Sequence, residues 1–420
     1  MNRTRQPLIR SAILVVAGSL GWTSAQGANE VQSLLDIQVF LAPTVQSLEA
    51  EDLSDPDNVG FGIIADPTGE TNPGSPVVVV PGEDDETAAG FNEVPISVRL
   101  SMRPHNQVKA FVELDRDNSP GGGGGSLEDG INVDKAWVEL MDLAPHVNVR
   151  IGSQAWALWQ FRGVSDAGVV QGNPLIGNAL MDAVVENNGI QVHGKPGPWG
   201  YSLLVANPDD EGDMSGGRGF ALGGKLYTAL GAGFSVAGAY YQVHNDSDTT
   251  SGFAPTVVGE AYRFPSKSDA NADTQTQFGF AGRMGKFDSW RVAAQYKPDY
   301  APLKVALWYG NQVNDVPDGA EISPALAAFT PGEFEMNYYG TEITYDLTPR
   351  FWVAGRYNVV TQETDGAASD DASRSQVGLG YHVTENVRAK LEYVDQRLEG
   401  PDAWAPFAFN GVISELGVVW

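Results

Sequence analysis

The sequence contains no cysteine, which excludes a disulfide-stapled fold and any thiolate metal site. Basic side chains are scarce: 26 Lys and Arg stand against 53 Asp and Glu, a formal charge of −27. A nucleic-acid-binding protein would need the opposite balance. Beyond the first two dozen residues no apolar run approaches the roughly 18 residues of a spanning helix, and only 19% of the chain is charged. What the chain does have is 42% apolar residues, 10% aromatics and 49 Gly, enough apolar surface to escape disorder and a mixture that leans toward β-structure.

Arg3, Arg5 and Arg10 precede an apolar stretch from Ala12 to Trp22, and Thr23-Ser24-Ala25 follows. A basic segment, a short apolar core and small residues at a cleavage site make residues 1–25 an expected secretory signal peptide. Its removal takes the formal charge from −27 to −30. Residues 26–420 are then one exported domain, either soluble or crossing a membrane as a barrel.

Segments of about ten residues with two-residue alternation fill that domain. Val147–Gly152, Pro302–Tyr309 and Asn386–Tyr393 each carry apolar side chains on one face and Arg, Lys, Glu or Asn on the other. A period of two means half-buried strands. Short turns at Pro104–Asn106, Leu143–His146, Lys195–Pro198, Ala229–Ala232, Lys297–Ala301, Leu347–Pro349 and Val383–Glu385 alternate with long stretches. The long stretches lie near 43–94, 116–131, 155–187, 208–218, 244–288, 312–334, 362–373 and 397–410. Short periplasmic turns alternating with long extracellular loops are the signature of an outer-membrane barrel. Eight loops and seven turns give an all-β, antiparallel transmembrane β-barrel of 16 strands. The alternating segment Gln275–Gly285 is read as an extension or hairpin within 244–288; counted as spanning, it shifts the reading toward 18.

Two further features favour a membrane. Val412, Leu416, Val418 and Trp420 share one face of the last segment, which resembles the closing strand of outer-membrane proteins, whose terminal aromatic engages the barrel-assembly machinery. Tyr296, Tyr309, Tyr345, Tyr357 and Tyr393 fall on the apolar faces near strand ends, where interfacial aromatic girdles lie.

A Lys or Arg on the lipid face near the midplane costs about 2–4 kcal/mol, so the charged members of the strands are expected inside. That assigns Arg99, Lys109, Lys135, Arg150, Lys225, Arg291, Lys304, Arg356, Arg388 and Lys390 to the lumen, with Glu113, Glu139, Glu342 and Glu392 and the aromatics Phe111, Trp137, Trp308 and Trp352. Pairing of these cations with neighbouring Glu residues is the purely structural alternative. The acidity sits elsewhere: stretch 43–94 holds twelve Asp and Glu and no Lys or Arg. Such mouth charges are screened over about 8–10 Å. Stretch 155–187 is rich in small and apolar residues, so it is expected to fold inward as a constriction, bringing Arg162, Asp166, Asp182 and Glu186 opposite the basic wall. Burial at a subunit interface is the alternative.

Neither Glu83–Glu86 nor Asn207–Asp213 has the spacing of a calcium loop, and the Gly121–Gly125 run lacks the Lys and helix of a phosphate cradle. The five histidines form no H-E-x-x-H and accompany no G-x-S-x-G. No catalytic residue, cofactor or metal is assigned.

With these elements placed, the chain resembles a Gram-negative porin over essentially its whole length. Val133–Leu140 leading to Val149–Gln154, and Gly189–Gly194 followed by Gly200–Asn207, resemble the phosphate-selective porin O/P superfamily. The resemblance implies a sixteen-stranded barrel in the outer membrane, in contact with lipid and lipopolysaccharide, forming a homotrimer, with a constriction made by the inward loop. The chain departs from the dense Arg/Lys eyelet of anion-specific members, since its loop offers only Arg162 among Asp166, Asp182 and Glu186; the basic walls keep anions open as solutes. The expected function is a passive diffusion channel for small hydrophilic solutes or ions, with no chemistry and no nucleic-acid partner. The alternatives are a binding or adhesion platform built on the acidic loops, or a gated, substrate-specific channel.

Overall fold

The computed structural model describes residues 35–41, 44–50, 87–91, 96–116, 132–157, 174–176, 184–207, 219–246, 284–315, 333–364, 370–399 and 409–419. Their strands are β1 (Leu35–Leu41), β2 (Thr44–Ala50), β3 (Thr87–Phe91), β4 (Ile96–His105), β5 (Val108–Arg116), β6 (Asn132–Ala144), β7 (Val147–Ala157), β8 (Val184–Gly194) and β9 (Trp199–Ala206). They continue as β10 (Gly219–Gly231), β11 (Phe234–Asp246), β12 (Met284–Tyr296), β13 (Leu303–Asp315), β14 (Glu333–Thr348), β15 (Phe351–Thr364), β16 (Asp370–His382), β17 (Val387–Glu399) and β18 (Phe409–Val419). All lie in one sheet, and every pairing between chain neighbours is antiparallel, as in β14 with β15 and β16 with β17.

Eighteen segments make sixteen strands. β1 and β2 are successive halves of one strand along β18: Leu41 pairs with Val418 and Thr44 with Glu415. β4 and β3 are the matching halves of the next strand, paired with β1 and β2 respectively. The ring closes there, so each strand has a partner on both sides. This meets the requirement that backbone N–H and C=O groups in hydrocarbon be satisfied within the protein.

The seven expected turns all join adjacent strands at one end of the ring. The turn between β10 and β11 uses Gly231, Ala232 and Gly233 at φ of 93°, 50° and 84°. At Gly233 a Cβ would lie 2.5 Å from the carbonyl oxygen of Lys297, so the close approach of the next turn also requires glycine there. The stretch expected as a loop over 43–94 needs correction at both ends, because β2 and β3 are strand segments within it. Their sequences, TVQSLEA and TAAGF, carry too few large apolar side chains to show an alternation. Of Gln275–Gly285, only Met284 and Gly285 are described, and they open β12; residues 1–25, expected as a signal peptide, and Trp420 lie outside the described residues.

Alternation sorts the side chains as period two demands. On β14, Met336, Tyr338 and Glu342 are buried while Tyr339, Ile343 and Tyr345 are exposed. The exposed face is apolar around the ring and bounded by two aromatic rows. Phe234 and Tyr240, Trp290 and Tyr296, Tyr339 and Tyr345, and Phe351 and Tyr357 are four pairs of outward residues six positions apart, about 20 Å along a strand. Each row holds together laterally: Trp290 meets Tyr309 at 5.4 Å between ring centroids, and Phe234 meets Tyr296 at 4.4 Å. An apolar band between aromatic girdles matches a bilayer core. Ile343 sits between them, so Ile343→Arg is expected to lower unfolding stability by about 2–4 kcal/mol in lipid. Denaturant titration in bilayers checks this, with Ile343→Leu near wild type.

Candidate functional site: the inner wall and the loop that crosses it

The inner face of β13–β18 is a cross-strand ladder of charges and amides. Arg356 donates through Nε and Nη2 to Glu342 Oε2 at 2.9 and 2.6 Å, and through Nη1 to Gln376 Oε1 at 3.0 Å. Lys304 Nζ stands 4.0 Å from the other Glu342 oxygen. Gln376 passes a bond on to Glu392 Oε1 at 2.8 Å. Arg374 donates twice to Gln396 Oε1, at 2.9 and 2.6 Å, and Lys390 pairs with Glu415 at 2.9 Å. The register places these groups opposite one another: Glu342 faces Arg356, Arg356 faces Gln376, and Lys390 faces Glu415.

Pro174, Leu175 and Ile176 lie on this ladder. The Ile176 N–H donates to Glu392 Oε2, and the Trp352 indole donates to the Pro174 carbonyl at 3.1 Å. Leu175, 1% exposed, packs with Trp352 and Ala354. The chain carrying these three residues leaves the ring from β7 and returns on β8. In the sixteen-strand order, β7 is eight places from β15 and β8 eight from β16, so Pro174, Leu175 and Ile176 lie against the wall opposite the strands that flank them in sequence.

The near wall, β4–β8, has its own cluster. Glu113 accepts from Ser97 at 2.8 Å and Arg99 at 2.5 Å, with Lys135 at 3.5 Å. Glu139 accepts from Arg150 at 2.9 and 2.7 Å and has His193 at 3.3 Å. Phe111 stacks on Trp137 with centroids 5.0 Å apart, and Arg150 lies over the indole at 4.0 Å with Lys109 at 5.5 Å. These contacts fix the cations in place; charges held rigidly in a narrow bore act on passing ions more strongly than they would in open water. Among the described residues no three His, Cys, Asp or Glu groups are placed to hold a metal.

The sequence of residues 81–401 matches the Gram-negative porin family. The chain belongs to that family. No curated protein matches it. In overall structure this porin is similar to the anion-selective porin from Comamonas acidovorans, at 12% identity and a TM-score of 0.54, over 92% of this chain and 100% of that one. The outer-membrane channel DcaP of Acinetobacter baumannii is similar at 11% identity and a TM-score of 0.54, over 93% and 98%. OmpT of Vibrio cholerae gives 12% identity and 0.54, over 92% and 97%. Family and fold together make the protein a diffusion channel of the outer membrane.

The wall residues expected from alternation share strand faces with the buried side chains, and most are themselves covered. Glu113, Lys135, Glu139, Arg291, Glu342, Arg356, Lys390 and Glu392 are buried; Arg99, Lys109, Arg150, Lys225, Lys304 and Arg388 are half-buried. Arg291 lies 4.6 Å from the Tyr338 ring. Trp352 is corrected from an open pore-lining surface to a loop anchor, because its indole N–H is used by Pro174 and its ring is covered by Leu175. Trp308 is buried too, with its ring against Gly340, while Trp137 remains half-buried. Glu186 is a strand residue of β8, paired with Ala155, and not part of the connection; strand pairing extends past the Asn187 limit that small residues suggested. Arg162, Asp166 and Asp182 lie outside the described residues.

Arg374, Gln376, Gln396 and Glu415 were not visible as site residues. Arg374 follows Asp370-Asp-Ala-Ser, which reads as loop until β15 and β17 pair with it. Glu415 was legible only through its alternation against Val412 and Leu416. Removing one partner of a buried ion pair typically costs about 3–5 kcal/mol. Arg356→Met is therefore expected to destabilise the barrel by that order, and Arg356→Met with Glu342→Gln to recover most of it. Thermal unfolding of the two variants in the same detergent measures the difference.

Proposed function

We propose that this porin passes small hydrophilic solutes down their gradients without making or breaking bonds, favouring anions over cations. One observation carries the ionic preference. The buried and half-buried charges at described inner positions are eleven cations, namely Arg99, Lys109, Lys135, Arg150, Lys225, Arg291, Lys304, Arg356, Arg374, Arg388 and Lys390, against five carboxylates, Glu113, Glu139, Glu342, Glu392 and Glu415. The overall charge of −27 does not oppose this, because loop charge at the mouth is screened over about 8–10 Å while wall charge acts inside the bore. A homotrimer is part of the same reading, supported by family membership and by the trimer form of Vibrio cholerae OmpT, as are contact with lipopolysaccharide and recognition of Trp420 by the assembly machinery.

The test is single-channel recording of the purified protein in a planar bilayer under a KCl gradient. Steady conductance in groups of three and a reversal potential of the sign set by chloride are expected. Lys109 sits over Trp137 with no carboxylate at ion-pair distance among the described residues. Lys109→Glu should lower the chloride-to-potassium permeability ratio several-fold. A wild-type reversal potential of the potassium sign would refute the anion preference, and a folded but silent protein would return the acidic loops and an adhesion role to first place.

A further inference from the structure

Trp137 differs from Trp308 and Trp352 in what covers it. Those two are each 6% exposed, whereas Trp137 is half-buried, as are Phe111 and Lys109 beside it. Its partner on β7 is Gly152, so no side chain stands directly across from the indole on that strand. Arg150 leans into this gap, with Cζ 4.0 Å from the ring centroid. On the β5 side Phe111 lies nearly parallel to the indole, at 16° and 5.0 Å between centroids. Three flat groups from β5, β6 and β7 thus stand in a row. Arg150 is pinned by two hydrogen bonds to Glu139, yet 23% of its side-chain surface stays exposed. Lys109 Nζ is 5.5 Å from the same indole and has no carboxylate at ion-pair distance among the described residues.

We propose that this stack is a binding place for small aromatic carboxylates on their way through the channel. The inference rests on the diffusion reading with its anion preference, and names a solute class for it. Flat groups add to flat groups: a planar ring gains contact at the stack that a compact ion does not, and a guanidinium accepts an aromatic face as well as a carboxylate. The negative charge then falls beside Lys109 and Arg150, inside a bore that screens charge less than open water does. Chloride takes only the second contribution and a neutral ring only the first, whereas benzoate takes both. Such retention is weak enough to let the solute leave again, as conduction requires. Fixing Arg150 in place accounts for the indole but not for Lys109, which no described carboxylate holds.

The experiment uses the full-length protein in planar bilayers at fixed KCl and neutral pH, with potassium acetate, potassium benzoate or benzamide as the added probe. Acetate has the charge without the ring, and benzamide the ring without the charge. Benzoate is expected to halve the unitary current at a concentration about two- to tenfold below that needed for acetate. Benzamide should leave the current near its starting value. Trp137→Leu, which keeps apolar bulk but no ring face, should bring benzoate to the acetate level. Lys109→Gln should raise the half-blocking concentration of both acids and leave their ratio as it was. Equal block by acetate and benzoate in the wild type would overturn the proposal. So would equal block by benzamide and benzoate, or a benzoate preference that survives Trp137→Leu. If Trp137→Leu does not fold, Phe111→Leu and the three probes on the wild type still decide it. A wild type silent in KCl alone refutes the channel reading underneath, whereas conduction with no preference for benzoate refutes only the binding place.

Discussion

Everything in this molecule depends on one constraint: in a hydrocarbon layer, each backbone N–H and C=O must find its partner within the protein. Strands can meet it only by closing on themselves, since an open edge would leave a row of unpaired groups. The first two strands show how the ring is closed. β18 pairs with β1 at Val418–Leu41 and with β2 at Glu415–Thr44, and β1 and β2 pair in turn with β4 and β3.

Closure turns the period of two into a division between two solvents. The outward set, bounded by aromatic rows, faces lipid, and the inward set faces whatever fills the bore. Long charged side chains crowded on a concave wall then have only one another as partners. The result is the pattern of Glu113 under Arg99 and Lys135, Glu139 under Arg150, and Glu342 under Arg356. Amides and rings hold the cations as well: Arg374 bonds Gln396, Arg150 lies over Trp137 and Arg291 over Tyr338. Structural pairing and the proposed anion preference therefore draw on the same wall residues.

Pro174, Leu175 and Ile176 add the third level. Leu175 sits in a socket between Trp352, Ala354 and Gly378. A loop in water gains nothing from such residues, whereas a loop docked inside the barrel removes them from water and stabilises its own position. The wall is built to receive it: glycine on β16 supplies room, tryptophan on β15 a donor, and glutamate on β17 an acceptor.

The sequence by itself determined the class of fold, the seven turns, the inward and outward sets and the expectation of an inward loop, because each is written in local features: period two, turn residues, and apolar side chains where a solvated loop would have none. It could not place β2, β3 or the first turn of β16, where small or polar residues show no alternation and only pairing with a neighbour makes them strands. Nor could it tell a free wall residue from a buried one, and Trp352 reads alike as a sliding surface or an anchor. Those distinctions were left to the tertiary structure for a physical reason. Which carboxylate an arginine meets, and which wall a loop tip reaches, depend on strands far apart in the chain, and only closure of the ring puts β7 across from β15.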